Sequence, residues 1–454
     1  MPQPSKFCLI GAGPSGLTVA KNFQQSQIPF DCFEREDDVG GNWYFGRESS
    51  SVYESTHLIS SKRLTEFTDY PMPTGWPPYP SHRQALEYLR GYASKFELYP
   101  RIQFNTSVES VAPETYEGRP VWAVRLSNGE ERRYRGVVIA NGHHHTPMLP
   151  EYPGKFSGEI LHSRDYKSPE SLRGRRVLVV GAGNSGCDIA VDAVGQATAV
   201  FHSMRRGYHF LPKFLLGKPI DRCGERLHRW RLPLWLRRRI AMAMIRLSVG
   251  GPERYGLPRP EHRLFETHPI VNSQLLYFVG HGEIRPKPDI ARLCGDRVRF
   301  ADGSEEAIDT IVYATGFQID FPFLDRSLIL DEAGWPRMYL NAFHPQHDFL
   351  FVAGMIQPDG GLWRLVDYQA QLMAAFIVAC DRAPERAEWF RRLKQSPQPD
   401  LGHGVRYVGS PRHRLEVEYF GHRDTLRRLI RRFGDVAQKP LPASPSRDSF
   451  ASSP

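Results

Sequence analysis

Apolar residues along this chain repeat one local pattern twice. Phe7 to Ile10 is a continuous apolar run, Gly11, Gly13 and Gly16 follow it, and Leu17, Ala20 and Phe23 then fall at helical spacing. Val177 to Val180 opens a second copy, with Gly181, Gly183 and Gly186 behind it and a short helix beyond. Four-residue apolar runs bounded by glycine fit strands covered on both faces, as parallel sheets require. Phe30 to Phe33, Val137 to Ala140, Ala199 to Ser203, Thr310 to Tyr313 and Phe349 to Ala353 predict further short strands. Residues 82–96 predict a helix with Leu86, Leu89 and Tyr92 facing a core, and another is expected from Val366. Asn128-Gly129 between Val121–Leu126 and Glu131–Tyr134 predicts a hairpin, as does Asp302-Gly303 further on.

The two glycine loops are the first candidate chemistry. A side chain at their glycines would block the tight turn and hold the backbone away from a pyrophosphate resting on the N-terminus of the next helix. Gly11, Gly13, Pro14, Ser15 and Gly16 thus form one candidate dinucleotide site, and Gly181, Gly183, Asn184, Ser185 and Gly186 form another. Glu34, at the end of the run Phe30–Phe33, stands where a carboxylate accepts hydrogen bonds from an adenosine ribose and repels a 2′-phosphate. The first loop is therefore expected to hold FAD. At the matching place after the second loop come Ser203, then Arg205 and Arg206, whose permanent charge suits a 2′-phosphate, and this predicts NADPH.

Between the loops, Phe156, Gly158, His162 and Tyr166 spell F-x-G-x-x-x-H-x-x-x-Y. Together with the loops, this resembles the fingerprint of class B flavin-dependent monooxygenases. The ending Tyr166-Lys167 is similar to the flavin-containing branch, which oxygenates nitrogen and sulfur, and differs from the Trp-Pro of the Baeyer-Villiger branch. Gly40-Gly41-Asn42-Trp43 resembles the G-G-x-W segment beside the flavin, and Phe67 to Pro71 resembles F-x-D-F-P. Ala314-Thr315-Gly316 is similar to the crossing between the family's two domains. Gly354, Gln357 and the helix after them resemble its last flavin-domain elements.

The resemblance implies an α/β fold of two Rossmann-like dinucleotide-binding domains, in which a smaller NADPH domain interrupts the FAD domain. The expected division is 1–165 for the first part of the FAD domain and 166–310 for the NADPH domain, with a helical insertion at 207–282. Residues 311–437 complete the FAD domain, and the Pro/Ser-rich 438–454 are a disordered tail. The resemblance further implies that NADPH reduces FAD, oxygen adds at flavin carbon 4a, and the hydroperoxide passes one oxygen to an amine or sulfide. The cofactor carries that chemistry, so no protein nucleophile is required. Ile59 stands where the family has an active-site asparagine. Either the protein leaks peroxide readily, or His57 or Ser60 supplies the missing donor, or isoleucine shapes an apolar site for a ketone or a bulky substrate instead of an amine.

Composition narrows the alternatives. A chain of 454 residues predicts two or three domains. Its 59 basic and 50 acidic side chains leave a charge of +9, which suits an anionic cofactor, and no nucleic-acid motif accompanies it. Six cysteines contain no C-x-x-C pair, which excludes a flavin disulfide reductase and fits reduced thiols in a cytoplasmic protein. His143, His144 and His145 are consecutive and cannot converge tetrahedrally, so no metal is expected. The N-terminus has no apolar signal core, and the longest apolar run, Leu372 to Cys380, is too short to span a membrane. Neither export nor the C-terminal anchor of some animal members is expected. In the insertion, Leu236, Ile240, Met244 and Leu247 share a helical face among Arg237, Arg238, Arg239 and Arg246. Such a helix is a lid over a substrate tunnel or a contact for an anionic membrane. A Baeyer-Villiger oxygenase and a membrane-associated flavoprotein without oxygenase activity are the competing readings.

Overall fold

The computed structural model describes residues 5–434, so the tail at 438–454 lies outside the described residues. Two parallel five-stranded sheets organise the chain. The first runs Leu350–Val352, Gly136–Ile139, Phe7–Ile10, Phe30–Phe33, Ile102–Gln103 in spatial order. The second runs Glu159–His162, Thr310–Tyr313, Arg176–Val180, Ala199–Ser203, Ile284–Lys287. Each central strand is buried along its length, apart from Arg176 at one end. That is why it reads as an unbroken apolar run.

Strand pairing moves the expected boundaries. Glu159–His162 and Thr310–Tyr313 pair with each other, His162 opposite Tyr313, inside the second sheet. The limits at 166 and 310 therefore fall too late at one end and too early at the other. The fingerprint stretch is itself an edge strand, which its polar residues conceal. Both expected hairpins form, one within the antiparallel strands Val108–Tyr116, Arg119–Leu126 and Glu131–Tyr134, the other between Arg297–Phe300 and Glu305–Ala307.

The helix behind the first loop, Pro14–Gln25, is locked to helix Leu362–Arg382 by a buried polar knot. Asp367 is fully buried and accepts from Thr18 Oγ1 at 2.7 Å, Asn22 Nδ2 at 2.9 Å and Thr68 N at 3.1 Å. Lys21 Nζ lies 3.2 Å from Asp367 and 2.7 Å from Asp69. Burial opposes charge on Asp367, but Lys21 and the hydroxyl and amide donors outweigh it and hold the carboxyl below its usual range. Asp69 of the F-x-D-Y-P stretch thus serves packing between elements.

The insertion contributes helices Ile220–Arg229, Leu234–Val249 and Gln274–Gly280. The middle one departs from the expected apolar face. Leu247 is 89% exposed, while Ile245 is buried. Arginines do much of its tethering: Arg238 Nε donates to Leu264 O at 3.0 Å and Nη2 to Glu266 at 2.9 Å, and Arg237 lies 3.6 Å from Glu418. Trp230 and Trp235 are also exposed.

Candidate functional site

In the first loop, two glycines are demanded by the protein's own backbone and the middle one is not. Gly11 has φ +100°, and a Cβ there would lie 2.7 Å from Ala140 O; a Cβ at Gly16 would lie 1.8 Å from Gly11 O. Gly13 has φ −72° and would meet only the Gly41 backbone, its Cα at 3.4 Å and its N at 3.8 Å. Its outer face is open, as close approach of a pyrophosphate requires. Pro14 opens the following helix, and Ser15 packs against Gly354. Glu34 is buried; its Oε2 accepts from Ala12 N at 2.6 Å and its Oε1 from Glu36 N at 3.1 Å. Burial pushes its carboxyl up, against the two amide bonds. The carboxylate braces the loop, and its two oxygens retain further acceptor capacity. Gly41 backs the loop, whereas Asn42 Oδ1 is spent on Ser51 N at 2.8 Å and Trp43 packs edge-on to Trp363 at 5.6 Å.

The second loop repeats this geometry. A Cβ at Gly181 would lie 2.4 Å from Ala314 O and one at Gly186 would lie 1.8 Å from Gly181 O, but at Gly183 only the Arg412 side chain comes near. Asn184 donates to Pro269 O at 3.0 Å and accepts from Val271 N at 2.9 Å, so it holds the later part of the insertion against the loop, and Ser185 lies at the Tyr53 hydroxyl. Sheet register corrects one sequence assignment. Ile10 pairs with Phe33 and Val180 with Ser203, so the residue matching Glu34 is Met204, which is buried. Arg205 follows one position later and is exposed, and Arg206 is half-buried. Ser203 Oγ is turned to Pro288 O at 2.7 Å.

The fingerprint residues join segments. His162 Nδ1 accepts from Arg164 N at 3.1 Å, so its Nε2 carries the proton and donates to Gly316 O at 3.1 Å. Burial lowers its pKa and favours that neutral form. Tyr166 is buried, donates to Asp192 at 3.2 Å and packs against Tyr53 at 5.6 Å. Phe156 lies against Gly158, and Thr315 Oγ1 donates to Met148 O at 2.6 Å.

Around Ile59, which is half-buried, the two candidate replacement donors are engaged elsewhere. His57 is exposed with Nδ1 2.8 Å from Ser55 O, and Ser60 Oγ is 2.8 Å from Thr65 Oγ1. The insertion reaches the same stretch: Ser61 N donates to Asp221 at 2.6 Å and Tyr79 Oη to Lys213 O at 2.6 Å. Gln357 N donates to Leu415 O at 2.6 Å, and Gln357–Pro358 pairs with Glu416–Val417. Burial and the neighbouring Glu418 push Asp359 up to about 7. Asp221, Asp359 and Arg412 escaped the sequence reading, because they sit in stretches without apolar period or motif. His143 and His144 face one another with ring centroids 4.4 Å apart. Among the described residues no group of three or more metal-ligating side chains could hold an ion.

The model of the flavin-binding monooxygenase-like family matches residues 4–437. The chain belongs to this family. Flavin-containing monooxygenase 5 of Mus musculus is 32% identical to it over 94% of this chain and 82% of its own length. Dimethylaniline monooxygenase [N-oxide-forming] 2 of Macaca mulatta is 34% identical over 86% of this chain and 77% of its own. Among solved structures, S-allyl-L-cysteine S-oxygenase from Allium sativum superposes with a TM-score of 0.65 at 18% identity, covering 94% of this chain and 88% of that one. Cyclohexanone monooxygenase in its open form gives 0.65 at 20%, covering 93% and 97%. Both share the fold. As a member of this family the protein is a flavin monooxygenase whose cofactors are FAD and NADPH. At Gly13 and Gly183 the loop backbone leaves more room than at the flanking glycines, with Gly41 near the first and the Arg412 side chain near the second. No helix among the described residues is long and apolar enough to cross a membrane.

Proposed function

We propose that this flavin monooxygenase transfers one oxygen atom from O2 to a soft nucleophile, an amine or a sulfide. FAD is assigned to the first loop and NADPH to the second. The observation that carries this division is the contrast at the two strand ends: buried Glu34 after one, Met204 with Arg205 and Arg206 after the other. A carboxylate suits ribose hydroxyls, and guanidinium suits a 2′-phosphate. On this reading the first sheet is the core of an FAD domain, and the second sheet, from Glu159 to Tyr313, is the core of an NADPH domain.

When bound, FAD supplies the electron transfer and oxygen activation. The protein's part is to bind, orient and exclude water. Gly13 and the helix from Pro14 would take the FAD pyrophosphate, and Glu34 its ribose. The N-terminus of Leu362–Arg382, whose cap Gly361 lies against Leu64 and Thr65, would flank the flavin ring and favour negative charge on it. Asp221 and Lys213 bring the insertion against the Ser61 and Tyr79 stretch, where it would keep water from the reacting centre. The apolar side chain of Ile59 favours a second reading, oxidation of a ketone. Incubation with amines, sulfides and ketones, following NADPH and O2 consumption and product mass, tests both. Products from ketones alone would overturn the amine and sulfide assignment.

A further inference from the structure

We propose that Arg412 binds the pyrophosphate of the nicotinamide cofactor, brought to the second glycine loop by a strap formed by residues 407–417. The proposal rests on the reading that this loop holds NADPH. An alanine Cβ at Gly183 would lie 3.0 Å from Arg412 Nη2 and 3.5 Å from both Cζ and Nη1. The guanidinium therefore lies against the open face of the middle glycine, the one position in the loop that the backbone leaves free.

Its electrostatic setting points to an anion. Among the described residues Arg412 has no carboxylate partner and no hydrogen bond, and its guanidinium lies 5.9 Å from the Tyr208 ring. It stands at the start of the ten-residue helix Asn184–Ala193, which has no side-chain cap. Helix N-termini are electropositive and leave N–H groups unpaired, so an unpaired cation there is disfavoured until a negative group lies between them.

The strap is a fixed element. Val408 N donates to Glu266 O at 2.8 Å, Ser410 Oγ bonds His413 Nδ1 at 2.8 Å, and His268 lies 3.2 Å from Glu416. Glu416–Val417 then pairs with Gln357–Pro358. Arg414, two residues on, is turned away to Gly334 and Trp335. Arg412 therefore links the second loop to the strand that leads into helix Leu362–Arg382. Its place over the middle glycine assigns it to the pyrophosphate, which NADPH and NADH share, and leaves the 2′-phosphate to Arg205 and Arg206.

Calorimetric titration of the FAD-loaded protein with NADP⁺, NAD⁺ and adenosine 2′-monophosphate tests this. Arg412→Ala and Arg412→Gln should weaken NADP⁺ and NAD⁺ by the same factor, about 10- to 150-fold for one charge-assisted contact. Adenosine 2′-monophosphate should bind as before, and Arg412→Lys should recover part of the loss. FAD content and unfolding temperature, read on the same samples, should match wild type in Arg412→Gln. Unchanged NADP⁺ affinity in both variants overturns the role of Arg412, as does equal loss of adenosine 2′-monophosphate. A wild-type protein that binds neither dinucleotide overturns the NADPH reading beneath it.

Discussion

Replacing Gly13 with alanine adds one methyl group to the first loop where the protein itself has room for it. The backbone there, φ −72°, suits any residue, and the new carbon would lie 3.4 Å from Gly41 Cα, an ordinary contact. FAD-free stability should hold, or rise by about 0.4–1 kcal/mol, because alanine has less freedom than glycine to lose on folding. The methyl nevertheless occupies the face by which a pyrophosphate reaches the loop. Loss of two charge-assisted hydrogen bonds, about 1.5–3 kcal/mol each, should weaken FAD by about a hundredfold or more. Gly16→Ala is a different perturbation. Its Cβ would lie 1.8 Å from Gly11 O, so backbone must move and the FAD-free protein itself should melt earlier. Thermal unfolding of deflavinated protein, with and without added FAD, separates the two by the stabilisation that a ligand confers on the folded state. Wild-type FAD affinity in Gly13→Ala, or equal melting of both FAD-free variants, would refute the reasoning.

Arg205→Ala should weaken NADPH by about 10- to 150-fold and leave NADH nearly unchanged, read as KM for each; equal losses would make Arg205 structural. Ile59→Asn restores a polar group beside the assigned flavin and should lower the hydrogen peroxide released per NADPH consumed. An unchanged ratio places Ile59 outside the reactive site. Asp359, whose carboxyl rises from 3.8 in the unfolded chain to about 7, binds more protons folded than unfolded between those values, so wild-type stability should fall as pH rises through that window. Asp359→Asn should flatten that fall, measured by unfolding temperature at about pH 5 and about pH 8; parallel pH profiles would contradict the assignment.

The inner strands of both sheets were legible because strands covered on two faces have no polar phase, while Ile102–Gln103, Glu159–His162 and Ile284–Lys287 were not; both loops were legible because glycine at Gly11, Gly16, Gly181 and Gly186 is required by backbone contact. The one-residue slip from Met204 to Arg205 did not come from the strand, whose bounds Ala199–Ser203 were read correctly, but from matching a charged residue to Glu34 where the register puts buried Met204. Helical spacing placed Leu247 with Leu236 and Ile240 but carries no information about what covers that face, and Leu247 emerged exposed. Arg412, Asp221 and Asp359 owe their positions to long-range packing of the strap and the insertion. In sequence they are ordinary charged residues in irregular stretches.

The central claim is tested most directly by one isotope measurement. FAD-loaded protein is supplied with NADPH, a turned-over amine or sulfide and ¹⁸O-labelled dioxygen, and the product is weighed by mass spectrometry. The account predicts a product carrying one labelled oxygen atom, with NADPH consumed in equal amount. An unlabelled product, or NADPH oxidation that yields only hydrogen peroxide across every substrate class, would contradict it.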